Sequence, residues 1–153
     1  SKTAFDMVKS LGGSPTPISY GELYTSLQQG VVDGAENNPP SFYLSKHYEV
    51  CKYYTLDEHT LLPDVLLIST HTWNKFTNQE KDWITLAVEL SVIEQRKLWS
   101  KSEKESLDAV QRAGVEIIIP DKKLFSEKSK SVLESYKSNE EIYSFIDRIR
   151  KTK

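Results

Sequence analysis

The run Gly30-Val31-Val32-Asp33-Gly34-Ala35-Glu36-Asn37-Asn38 gathers side chains suited to polar chemistry. The Asn37 amide offers two donors and an acceptor, which fits a carboxylate or a sugar hydroxyl and equally fits a turn closed on its own backbone. Asp33 and Glu36 could form an acid–base pair, but such a pair also needs a nucleophile or a metal. The 153-residue chain contains no His-Glu-x-x-His, Gly-x-Ser-x-Gly, phosphate loop or Cys-x-x-Cys to supply one. An aspartate before glycine also stabilises a turn in its own right. Binding is therefore favoured over catalysis. A second candidate pair is Glu58-His59, between Tyr54 and Leu61. A buried glutamate is costly unless it accepts hydrogen bonds, and sugar hydroxyls are suitable donors. Tyr20 adds a broad aromatic face with a polar tip, suited to a sugar ring or to a core position.

These residues need elements to hold them. Ala4, Phe5, Met7, Val8 and Leu11 make a helical apolar stripe that ends at Gly12. A short extended segment over 15–19 leads past Tyr20 to a helix over 22–29, stopped at Gly30. Val31-Val32 is expected to be a buried strand, with Glu36, Asn37 and Asn38 beyond its carboxyl end, where open α/β sheets bind ligands. Pro39-Pro40 opens a helix running to about Tyr48. Strands are expected over 53–60 and 65–69, the second buried on both faces. In that first strand Glu58 and His59 would face opposite sides, leaving one of them in a cleft.

From Thr77 the pattern changes. Thr77-Asn78-Gln79-Glu80 reads as a capping box. No breaker follows before Gly114, so a helix over 78–113 would be about 54 Å long at ~1.5 Å per residue. Trp83, Leu86, Leu90 and Ile93 should form its buried stripe, with Glu89, Gln95 and Arg96 in water. A strand over 115–119, ended by Pro120, precedes helices over 123–136 and 140–151, the latter introduced by Ser138-x-x-Glu141.

Gly12-Gly13-Ser14-Pro15-Thr16-Pro17-Ile18, Tyr24/Leu27/Gln28, Val32-Asp33-Gly34-Ala35-Glu36-Asn37, His47-Tyr48-Glu49-Val50 and Tyr54-Thr55-Leu56-Asp57-Glu58-His59 occur in series. Together they resemble the solute-binding receptors of TRAP (tripartite ATP-independent periplasmic) transporters, and within them the group that binds uronates and related sugar acids. The resemblance implies an α/β chain forming the second half of a two-lobed periplasmic-binding-protein-like fold with long C-terminal helices. Residues 1–76 would carry the ligand site. Residues 77–153 would be helical with one strand, pack across the lobes, and follow an N-terminal lobe not included here. The implied ligand-binding residues are Asn37 at the acid group, Tyr20 against the ring, Glu58 at hydroxyls, His59 through water or as a structural hydrogen bond, and Glu36 beside them. An arginine clamping the ligand carboxylate in the family falls just before position 1, so weak or no binding of sugar acids is expected of these residues alone. The implied partners are a small organic acid and membrane permease subunits, in the periplasm, with no cofactor, no metal and no signal peptide in this chain.

Composition is permissive. A formal charge of −2 and 38% apolar residues describe a globular chain without a nucleic-acid footprint, and no run approaches the ~18 apolar residues of a membrane helix. The one cysteine, Cys51, excludes an internal disulfide and suits the cytosol or a disulfide-free periplasmic protein. Two other function classes stay open on residues alone. One is a metal-dependent hydrolase or isomerase using Glu36, Glu58 and His59; the other is a helical interaction domain over residues 77–151.

Overall fold

A computed structural model describes residues 1–152. The helices are α1 Lys2–Ser10, α2 Leu23–Gln28, α3 Pro39–Leu44, α4 Thr70–Trp73, α5 Asn78–Arg112, α6 Lys122–Glu134 and α7 Glu140–Lys151. Strands β1, Tyr53–Thr55, and β2, Glu116–Ile118, pair as a two-stranded sheet. The chain divides into two compact units. The first comprises Ser1–Asp33, Tyr53–Thr60 and the residues from Ile117 onward; the second comprises Gly34–Lys52 and Leu61–Glu116. The compositional change at Thr77 thus falls inside the second unit.

In the first unit α1 packs on α6. Val132 is buried on α6, and the Thr3 and Tyr136 hydroxyls hydrogen-bond at 2.7 Å. The Leu56 amide donates to the Ile118 carbonyl at 2.9 Å, extending the pairing past β1. In the second unit α3 packs on α5, and the buried residues are Pro40, Phe42, His47, Ser106, Val110 and Val115. Burial disfavours the charged imidazolium and holds His47 below the usual histidine range.

Helix ends follow local chemistry. At α5 the Thr77 hydroxyl accepts from the Glu80 amide at 3.3 Å, and the Glu80 carboxylate accepts from the Thr77 amide at 2.7 Å. That second bond holds the Glu80 carboxyl below its ordinary range. For α7 the cap is Asn139, accepting from the Ile142 amide at 3.1 Å, rather than Ser138.

Three sequence expectations are corrected. Val31-Val32 forms no strand. Gly30 takes φ 70°, which glycine adopts at little cost, and the Val31 amide then donates to the Ser26 carbonyl at 2.9 Å while the Gly30 amide donates to Leu27. A helix cap has taken the amide that a strand ladder would use. Residues 65–69 also lack strand structure, and Val65, Leu66 and Leu67 are exposed because no strand among the described residues pairs with them. The stripe Trp83, Leu86, Leu90 and Ile93 lies on α5 as its spacing requires, but all four are more than half exposed. Helical periodicity sets which residues share a face, and it does not supply the surface that covers that face.

Candidate functional site

In the second unit, α3 begins with Asn38, whose Oδ1 accepts from the Ser41 amide at 2.9 Å. Pro39 follows at the first helical position, where the missing amide costs nothing. One residue earlier, the Asn37 Oδ1 accepts from the Asn38 amide at 2.9 Å. This contact places the half-buried Asn37 side chain at the start of a helix, with its Nδ2 donors on the other branch of the amide. Glu36 is exposed in the preceding loop.

In the first unit, Tyr20 opens the 3₁₀ turn Tyr20–Glu22, its ring 56% exposed. The turn is tied by the Ser19 hydroxyl, which donates to Glu22 at 2.6 Å. Asp33 ends the first stretch of this unit, whereas Glu36 belongs to the second unit.

Beyond β1 the chain leaves extended geometry. Glu58 has φ 50°, in a left-handed region that non-glycine residues other than Asn, Asp and His seldom occupy. This overturns the expectation that strand alternation would send Glu58 and His59 to opposite faces. Both side chains line one cavity of about 320 Å³. Its walls are Met7 and Leu11 from α1, Phe125 and Leu133 from α6, and the polar group Asp57, Glu58, His59 and Lys122. The His59 Nδ1 lies 2.8 Å from Asp57 Oδ1, a contact that fixes the ring orientation of a half-buried imidazole. The Lys122 Nζ lies 2.5 Å from Glu58 Oε1, at the mouth of the cavity, with both side chains substantially exposed.

The sequence reading did not select Lys122 or Asp57. The N-cap of α6, Asp121, accepts from the Lys123 amide at 3.0 Å and already places an anion at the start of the helix, so the pairing with Glu58 could be found only in the fold. Cys51 is half-buried, and burial pushes its thiol up, away from a reactive thiolate. Among the described residues no group of three or more His, Cys, Asp or Glu could hold a metal ion, so the metal-dependent hydrolase or isomerase finds no support.

An apolar-walled cavity with a few oriented polar groups is chemistry for holding a small polar molecule. The family profile "bacterial extracellular solute-binding protein, family 7" (DctP) matches residues 1–139. The chain belongs to this family. Its members include the solute-binding receptors of TRAP transporters, as the resemblance implied. The protein YiiZ of Salmonella typhimurium is 40% identical over 154 residues, which cover 100% of this chain and 47% of that protein. A TRAP periplasmic solute-binding protein from Sulfitobacter sp. NAS-14.1, solved with bound β-D-galacturonate, is 36% identical with a TM-score of 0.91, covering 99% of this chain and 51% of that one. A second, from Chromohalobacter salexigens with bound D-glucuronate, is 36% identical with a TM-score of 0.92, covering 97% and 50%. The α/β fold of this receptor class is therefore shown. The chain spans about half the length of the proteins it matches.

Proposed function

We propose that this chain forms part of a periplasmic receptor that captures a uronate or related sugar acid and delivers it to the membrane permease subunits of a TRAP-type transporter. The observation that carries the proposal is the likeness, at 36% identity and TM-scores of 0.91 and 0.92, to two receptors solved with galacturonate and glucuronate. In this reading Asn37 addresses the ligand carboxylate, Glu36 flanks it, and Tyr20 packs on the sugar ring. Glu58 accepts from ring hydroxyls, and His59, held by Asp57, contributes through water. These residues fall within 1–76, and the helical part over 77–153 packs across the lobes of a family-length receptor. The exposed faces at Leu61–Ile68 and Trp83–Ile93 fit that arrangement, because large apolar surfaces left in water ordinarily have a partner. The cycle is capture and hinge closure without bond chemistry, in which differential affinity for the closed state drives the closure.

A thermal-shift screen of the family-length receptor against sugar acids and C4-dicarboxylates tests the proposal. Stabilisation by D-glucuronate or D-galacturonate above all dicarboxylates is expected. A dicarboxylate giving the largest shift would overturn the sugar-acid assignment.

A further inference from the structure

Glu58, the partner of Lys122, occupies a place that local energetics disfavour. A left-handed backbone is unfavourable for a residue that carries a side chain. Lys122 follows Asp121, the N-cap of α6, whose carboxylate already balances the helix dipole there, so the helix start does not require the Glu58 pairing. The pair they form is solvent-accessible, with side chains 46% and 70% exposed, and such pairs add little to stability. Stability alone therefore does not account for the placement. Residues that break local rules without a stabilising return concentrate where function sets the geometry.

The two side chains meet at the mouth of the cavity floored by Met7, Leu11, Phe125 and Leu133. Lys122 engages Glu58 Oε1, one of the two oxygens of a side chain that is 70% exposed. An ionised carboxylate accepts and never donates, so it selects ligands that present hydroxyls. It would also repel an acidic ligand unless a cation balanced it. An ammonium on one of its oxygens meets both requirements.

We infer that Lys122 is a positioning residue for hydroxyl recognition: it neutralises and orients the Glu58 carboxylate so that Glu58 accepts from a polyhydroxylated acid without repelling it. The inference rests on the sugar-acid reading above and adds a residue to it. Lys122 acts through Glu58, so its effect depends on that carboxylate. The test is calorimetry of D-glucuronate binding to the family-length receptor carrying Lys122→Met, Lys122→Arg, Glu58→Gln and the double change Glu58→Gln/Lys122→Met. Lys122→Met should weaken binding about tenfold, and Lys122→Arg, which keeps the charge, by under about threefold. The double variant should bind no more weakly than Glu58→Gln alone, since coupled residues are non-additive. Ligand-free Tm should move by less than about 2 °C, as an exposed pair predicts. Losses that multiply in the double variant, or full affinity in Lys122→Met, would overturn the inference while leaving the sugar-acid reading intact. A wild-type receptor with no affinity for any uronate would remove both.

Discussion

The segments 57–59 and 36–38 hold the polar candidates in the two units, and they are built on different principles. In the first, Asp57 holds His59 and Lys122 holds Glu58, side chain to side chain, around a cavity whose floor comes from two packed helices. In the second, Asn37 and Asn38 are held by backbone amides at the start of α3. A network of charged side chains tunes what a site accepts, whereas a helix-start amide is fixed in direction whatever ligand arrives. On the sugar-acid reading proposed above, segment 57–59 would discriminate among ligands and segment 36–38 would hold the acid group.

Substitutions can separate the two roles. The largest effect is expected from Asn37→Asp in the family-length receptor. A negative charge replaces an amide donor, so every acidic ligand should weaken together, on the order of ten- to a hundredfold. Selective loss of one ligand class would break the assignment of Asn37 as a general anchor. Glu58→Gln keeps the shape and removes charge, so uronate affinity should fall about tenfold while a C4-dicarboxylate changes little. Equal loss of both would deny Glu58 its discriminating role.

Smaller effects concern the scaffold. Asn38→Ala removes the cap of α3 and should cost about 1 kcal/mol in urea unfolding; an unchanged midpoint would mean that the cap is not maintained in solution. The His47 ring beneath α3 has a folded pKa below its ordinary value of 6.5, so protonation favours the unfolded chain. Stability should therefore fall as pH drops below about 6.5, and His47→Gln should flatten that dependence in parallel denaturation curves. The smallest effect belongs to Leu90→Ala in the isolated chain, under about 0.5 kcal/mol, because Leu90 is 59% exposed. A cost of ~2–5 kcal/mol, which a core leucine would give, would show that the stripe is covered in solution.

Legibility in the sequence followed the range of the interactions. The long helix from Asn78 and its capping box were readable because both depend on residues three or four apart. The strand expected at Val31-Val32 failed although its composition favours strands, because Gly30 directs the Val31 amide back to Ser26. The apolar run 65–69 was read as a buried strand, yet burial and pairing depend on segments distant in sequence. For the candidate site, Asn37, Glu58 and His59 are proposed from residue type and resemblance, and the shared cavity of Glu58 and His59 was not legible. It depends on one left-handed residue and on a lysine more than sixty positions away.

Parallel calorimetric titration of the family-length receptor with D-glucuronate, D-galacturonate and succinate tests the central claim most directly. One of the two uronates should bind with micromolar or tighter affinity, about 8 kcal/mol or more, and succinate at least about a hundredfold more weakly. Succinate binding as tightly as the better-bound uronate, or no saturable uronate binding, would contradict the account.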